Sequence, residues 1–292
     1  NELKHTIDSV LQQSFEDWEL VIIDNCSTDN TVKIANSFKD PRIRVIVNES
    51  NIGLYPNWNA GYKHIRGEFY KHLSSDNLIS ADFIELCMKR FSNEPELDIV
   101  ATSMGNIDEN GNWVSSSRRF SDSTYSAFHV IEKTRYYGDY WLGSPDNQLI
   151  RVSFLRGVFG DKDLYNQELR FSADFNFTLD CLLNSTARVG LISRELAFLR
   201  RHEGSLTSSE GSGALRFSEY RYYRDKLDMT RIAYQKPTML TLLSLIIADK
   251  SKAYDYFKTR RQELNPLWFL DIIIFFRFTY EYLRRIALGD KY

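Results

Sequence analysis

Residues 9–29 limit the fold of this chain more sharply than any other stretch. Apolar residues at helical spacing (Leu3, Ile7, Val10, Leu11) run into a polar turn around Glu16 and Asp17. A strand-like run over 18–23 follows, then breaks abruptly into Asp24-Asn25-Cys26-Ser27-Thr28-Asp29. A buried strand that ends in a carboxylate and small polar side chains delivers them to the carboxyl edge of a parallel sheet. That edge is where open α/β folds bind nucleotides.

The alternation continues along the chain. Ser27, Thr28 and Asp29 are N-cap signals for a helix over 30–38, and 42–47 reads as a strand after Asp40-Pro41. A helix over 57–65, a strand over 68–73, a helix over 81–91 and a strand over 98–103 follow. Asn110-Gly111 marks a hairpin within the polar stretch 105–126, and 131–200 is built around helices at 153–159 and 173–184. This rhythm predicts an α/β fold with a doubly wound, mostly parallel sheet. The expected organisation is a domain over 1–210, with a nucleotide-binding half at about 1–104 and an acceptor half at about 105–210. A Ser/Gly-rich loop at 204–213 and a helical appendage over 211–292 complete it.

Charge separates the halves. From Leu215 onward there are 15 Lys/Arg against 9 Asp/Glu, which leaves 22 against 30 before it, within a net charge of −2. The whole chain is too evenly balanced to suggest nucleic acid, while a basic end on an acidic body favours an anionic surface. In 266–288, Asp271, Arg277, Glu281, Arg284 and Arg285 share one arc of a helix whose other arc carries Trp268, Phe269, Ile272, Phe276 and Tyr280. That amphipathic pattern fits either packing on the domain or peripheral contact with a membrane, and it is too interrupted to span one. Three scattered cysteines (Cys26, Cys87, Cys181) offer neither a disulfide framework nor zinc spacing, which points to a reducing cytoplasm, with the inner face of the membrane as the expected location.

The run from Ser9 to Asp29 resembles the donor-binding segment of family 2 glycosyltransferases, a helix ending near Ser-Leu-Leu-Asn-Gln-Thr-Tyr, a strand, then Val-Asp-Asp-Gly-Ser-Thr-Asp. The resemblance extends over about residues 1–210 and implies the GT-A fold, with a further strand expected ahead of Asn1. It implies that Asp24, Asn25 and Ser27 bind the donor nucleotide, although Cys26 stands where the family has glycine. Asn51-Ile-Gly53 through Asn57, Asn59 and Gly61 resembles the family's Asn-x-Gly…Asn-x-Gly run. Gly53 there permits close approach of backbone to ligand, and Asn57 or Asn59 can donate to base or phosphate; helix capping after Pro56 accounts for either asparagine equally well.

Ser74-Ser75-Asp76-Asn77 occupies the family's Asp-x-Asp-Asp position. By the resemblance, Ser75 contacts the donor and Asp76 binds a divalent metal, Mn²⁺ or Mg²⁺, while Ser74 and Asn77 replace two carboxylates. A hard cation takes oxygen ligands and a diphosphate supplies several, so one protein carboxylate suffices. Asp174, opening a helix after Phe171-Ser172-Ala173, matches the family's catalytic base. Arg200 and Arg201 match the segment that approaches the diphosphate, and His202 matches a metal ligand there. Trp141-Leu-Gly-Ser-Pro145 and Leu149-Ile-Arg151 resemble an acceptor-side segment. The implied reaction is inverting, metal-dependent transfer from a nucleotide-sugar donor to a saccharide or lipid-linked acceptor. Two rivals remain: a nucleotidyltransferase on a similar sheet, and a non-catalytic binding or scaffold protein, for which Ser74, Asn77 and Cys26 speak.

Overall fold

The computed structural model describes residues 2–137, 141–170, 172–183, 186–201 and 219. His202, the loop 204–213, the stretch 266–288 and, except for Glu219, the appendage 211–292 lie outside the described residues. The described residues belong to one unit, 1–230. Among them no helix is long and apolar enough to cross a membrane.

Helix α1 (Glu2–Leu11) turns Thr6, Ile7 and Val10 inward, as its apolar spacing requires. Thr6 Oγ1 donates to the carbonyls of Ser75 and Asn77, each at 2.9 Å, so the helix is fastened to the turn 74–77. Strand β1 (Leu20–Asp24) pairs in parallel with β2 (Ile43–Val47), from Leu20↔Ile43 to Asp24↔Val47. Between them α2 (Thr31–Ala35) is shorter than the expected 30–38. Its N-cap is Asn30, which makes no side-chain cap bond; Asp29, one residue earlier, accepts from Thr31 N through Oδ1 at 2.9 Å, and the helix end tightens into Ser37→Ile34 and Phe38→Ala35 bonds ahead of Pro41. Helix α3 (Leu54–Tyr62) starts three residues before the expected 57, because Gly53 (φ +92°) supplies the turn and Pro56 falls in the first helical turn, where its missing N–H has no cost.

The main sheet has the strand order β3 (Phe69–Tyr70), β8 (Gln148–Arg151), β5 (Ile99–Ile107), β9 (Arg188–Arg200), β4 (Leu78–Ile79). Strand β6 (Trp113–Arg118) pairs with β5 and β7 (Ser123–Ser126) with β9. The α/β class holds, and within it the strand directions are mixed: β1–β2 and β5–β9 are parallel, the other pairings antiparallel. The Asn110-Gly111 hairpin forms as expected, and so short a return can only join antiparallel strands. Helices α4 (Phe83–Asn93), α5 (Ala127–Tyr137), α6 (Val152–Phe159) and α7 (Ala173–Leu183) complete the described elements. Phe83, Cys87 and Phe91 of α4 bury against Leu97, Val100, Met104 and Leu196 in a continuous core.

Strand β9 was not expected among the helices of 131–200. Its pairing with β5 slips from Thr102↔Ile192 to Ser103↔Glu195 and then to Met104↔Ala197. The looped-out Ser193 and Arg194 are held by Asp122 and Asp82 (2.7 and 2.5 Å). The bulge breaks the period-two pattern by which a strand is recognised.

Two substitutions test this packing. A Cβ at Gly190 would sit 2.7 Å from Leu97 Cδ1 and 3.2 Å from Arg90 Nε, in a region where Leu97 has no freedom to move. Gly190→Ala is expected to cost about 1–3 kcal/mol in urea denaturation. Cys26, just after β1, takes φ +62°, the left-handed region that penalises a side chain. Cys26→Gly is expected to gain up to about 1 kcal/mol in the same assay, the relief of strain being partly offset by glycine's backbone entropy.

Candidate active site

Three groups of side chains converge from the elements above. The first lies at the carboxyl end of β1. Asp24, 4% exposed, accepts from Ser27 N at 2.9 Å through Oδ2, while its Oδ1 is buried with no hydrogen-bond partner among the described residues. Next to it, amides interlock. Asn25 Nδ2 donates to Asn51 Oδ1 (2.9 Å) and to the Gly53 carbonyl (3.1 Å), and Asn25 Oδ1 accepts from Ile52 N (2.9 Å) and Asn48 Nδ2 (3.2 Å). Asn57 accepts from Asn48 Nδ2 at 2.8 Å and donates to the Ile23 carbonyl at 3.3 Å. Asn59, buried on the other side of α3, exchanges two bonds with the Tyr165 backbone (2.8 and 2.9 Å). The amides of Asn25, Asn51 and Asn57 therefore hold the loop 48–53 and α3 against β1, and that of Asn59 ties α3 to the backbone of Tyr165.

The second group surrounds the turn 74–77. Asp146, in a 3-10 turn (Pro145–Asn147) and 4% exposed, accepts four bonds. Ser74 N (2.8 Å) and Asn77 Nδ2 (3.0 Å) reach Oδ1; Ser74 Oγ (3.1 Å) and Ser144 Oγ (2.8 Å) reach Oδ2. Lys71 Nζ donates to the Asp146 carbonyl. Burial opposes the Asp146 charge, but His72, Lys71 and the bonds from Asn77 and Ser74 outweigh it and hold the carboxyl below its ordinary range. Burial pushes Lys71 down to about 8. On the other side, Arg200, 3% exposed, donates through Nε to the Asp76 carbonyl (2.8 Å) and through Nη1 to the carbonyls of Asp108 and Glu109 (2.9 and 2.7 Å). Its backbone N–H bonds Asn77 Oδ1 at 3.0 Å, and its Nη2 is buried without a hydrogen-bond partner. Arg201 points elsewhere, to Asn106 Oδ1 at 3.0 Å. Ser75 is exposed and Asp76 half-buried between these clamps.

The third group is at the start of α7. Burial raises the Asp174 carboxyl to about 6, with the charges of Asp146 and Glu219 adding to the rise against a bond from Phe175 N (2.8 Å). Glu219 closes the end of the helix, accepting from Arg170 N (2.5 Å), Ser172 N (2.8 Å) and Ser172 Oγ (2.5 Å). Tyr55 of α3 meets the Ala173 backbone and feels the Asp174 charge. An aromatic wall of Trp58, His72 and Tyr165, with ring centroids 4.1–5.7 Å apart, fills the space behind. Asp146 acts electrostatically on both His72 and Asp174, so one buried acid joins the turn of Asp76 to the helix of Asp174.

Asp146, Glu219, Tyr55 and His72 were not singled out in the sequence. For Asp146 the signal was present: Ser144-Pro145-Asp146 is a helix-start pattern, and Ser144 does cap it. For Glu219 there was none, because its target lies 47 residues away.

Known proteins give the same picture from another direction. The family model described as "Glycosyl transferase family 2" matches residues 1–159. A chondroitin synthase of Pasteurella multocida is 31% identical over 138 residues, 44% of this chain but 14% of that protein, so the chain spans a small part of such synthases. The glycosyltransferase GlyG of Streptococcus pneumoniae is 24% identical over 217 residues, covering 71% of this chain and 69% of that one. Among solved structures, S. aureus TarS in complex with UDP-GlcNAc superposes with a TM-score of 0.61 at 20% identity, over 84% of this chain and 67% of that one, and shares the GT-A fold. The match covers more than half of the residues, and the chain belongs to glycosyl transferase family 2.

Proposed function

We propose that this chain is an inverting glycosyltransferase, moving a sugar from a nucleotide-diphosphate donor to a saccharide or lipid-linked hydroxyl in polysaccharide assembly. The observation that carries the reading is Asp174: a half-buried residue whose carboxyl is raised by desolvation to about 6, electrostatically joined through Asp146 to the turn of Asp76. A general base works best with a pKa near the working pH, and a neighbouring helix N-terminus alone would have lowered it. Asp174 accepts the proton of the acceptor hydroxyl as that oxygen attacks the anomeric carbon. The bond to the diphosphate breaks on the opposite face of the sugar, the configuration inverts, and Asp174 loses the proton to solvent above pH 6.

Donor binding is assigned by the same reading. The unpartnered Asp24 Oδ1 suits a ring N–H of the base, since a buried acceptor left unpaired costs about 1–3 kcal/mol that a ligand donor recovers. Ser27, Ser75 and Gly53 line the approach; Asn25, Asn51, Asn57 and Asn59 hold the donor loop in shape. Arg200 supplies positive charge beside the diphosphate; Arg201, whose Nε bonds Asn106 Oδ1 instead, is not assigned that role. Asp76, a hard oxygen donor on a turn clamped from both sides, fits a role as protein ligand of Mn²⁺ or Mg²⁺, with the diphosphate completing the set. Among the described residues no group of three or more His, Cys, Asp or Glu could hold a metal without such help. The cation, when bound, would neutralise charge on the leaving diphosphate. His202 as a further ligand, a catalytic domain ending near 210, and 266–288 as a contact with the cytoplasmic face of a membrane belong to the same proposal. The complex of TarS with UDP-GlcNAc makes UDP the first nucleotide to try.

Calorimetric titration of UDP, GDP and dTDP tests the donor site. One nucleotide should bind in a Mn²⁺-dependent manner, and Asp76→Ala should weaken that binding about tenfold or more. Absence of binding in every combination would leave the non-catalytic reading. For the base, kcat/KM should fall as pH drops through about 6, and Asp174→Asn should lower kcat by at least about 100-fold. A carboxyl whose pKa is raised by folding destabilises the fold once pH exceeds its unfolded value near 3.8, increasingly up to about 6. Asp174→Asn is therefore expected to be more stable than the parent at pH 7.5, by about 1–3 kcal/mol, and to show no such gain at pH 3.5.

A further inference from the structure

We propose that Asp146 is the positioning residue of the donor turn, a carboxylate reaching across from the 3-10 turn to fix the span of 74–77 in place of acids within the turn itself. The inference rests on the donor reading above and adds to it a residue that the family pattern does not mark.

The geometry is specific. One oxygen, Asp146 Oδ1, accepts from both ends of the turn, Ser74 N at 2.8 Å and Asn77 Nδ2 at 3.0 Å. The width of the turn is therefore set by a single atom. The second oxygen takes Ser74 Oγ and Ser144 Oγ, so all four contacts are filled and the carboxylate cannot swing away. Between the clasped ends Ser75 and Asp76 bow outward, and Arg200 holds the outer side through the Asp76 carbonyl and Asn77 Oδ1. Asn77 is thus bonded through both ends of its amide, donating to Asp146 and accepting from Arg200 N.

This explains the two residues that depart from the family pattern. An aspartate at 77 would bring a second carboxylate within hydrogen-bonding distance of the buried Asp146, where neither could shed its charge into water. Ser74 and Asn77 are donors because the acid they would otherwise have been is already present behind them. The charge has changed position, and Asp146 carries it.

The test is a swap. Asn77→Asp, Asp146→Ala, Asp146→Asn and the double variant Asn77→Asp with Asp146→Asn are compared by calorimetry with UDP, GDP and dTDP plus Mn²⁺, alongside urea denaturation. Asn77→Asp and Asp146→Ala should each weaken nucleotide affinity by about tenfold or more while still folded at the assay temperature. The double variant lets the new amide donate to the new carboxylate but loses the bond from Ser74 N, so it should recover at least about threefold of the affinity lost in Asn77→Asp without regaining all of it. Asp146→Asn keeps the two bonds to Oδ1 and lets the serine hydroxyls act as acceptors, so it should lose less than Asp146→Ala. A purely structural role would lower stability without separating affinity in this way. Parent-like affinity in folded Asp146→Ala, or a folded double variant no better than Asn77→Asp, overturns the inference alone. If the parent binds none of the three nucleotides, the transferase reading falls and this inference falls with it. If Asp146→Ala does not fold, the comparison of Asn77→Asp with the double variant decides.

Discussion

The parallel pairing of β9 with β5 runs from Ile99↔Val189 to Ile107↔Arg200, and the position of the turn 74–77 follows from where that pairing stops. Its last residue, Arg200, is delivered into a buried position between the β5–β6 hairpin and the 74–77 turn. The same strand carries β4 along its edge through Leu78↔Phe198 and Ile79↔Ala197, so the residues just after Asp76 are paired into the sheet. One strand thereby sets the turn from two sides, by backbone pairing and by a guanidinium. The guanidinium bonds carbonyls in these contacts, so no carboxylate in them cancels its positive charge.

Burying acids close together forces them to differ. Asp146 lies in the interior and Asp174 is half-buried, and the charge of Asp146 acts on Asp174. Asp146 has four donors and Lys71 nearby, and it keeps its charge. Asp174 is desolvated and faces two other acids, which outweigh the backbone bonds from Phe175 and its own N–H and lift it to about 6. Two carboxylates whose environments push them apart acquire separate roles, one fixed and one able to exchange a proton near neutrality. The stability lost in Asp174 is the counterpart of its basicity, because both come from the same desolvation.

Much of the frame was legible in the sequence. The strands over 18–23 and 42–47, the helices over 81–91, 153–159 and 173–184, and the Asn-Gly hairpin follow from apolar periodicity and turn residues, which are local signals. What failed to show was long-range. Strand β9 hides behind its bulge at Ser193 and Arg194, and β8 is four residues of Gln148–Arg151 that pair only once β5 and β3 are in place. Asn59 read as a ligand donor or a helix cap, yet it pairs with the backbone of Tyr165, 106 residues on. Lys71 and His72 read as ordinary strand positions, and only the packed structure buries one beside Asp146 and the other against Trp58.

The turn 74–77 illustrates the limit of reading motifs along the chain. Counted in sequence, it has lost two of three acids and looks degraded. Counted in space, the acid is 72 residues away at Asp146, and the two replacements are hydrogen-bond donors directed at it. A buried carboxylate demands donors more strictly than a motif demands acids, because leaving it unpaired costs more than any single ligand contact returns. Once the segment 144–146 places an acid there, serine and asparagine are residues that meet it as donors, and Asp76 is left half-buried between the two clamps.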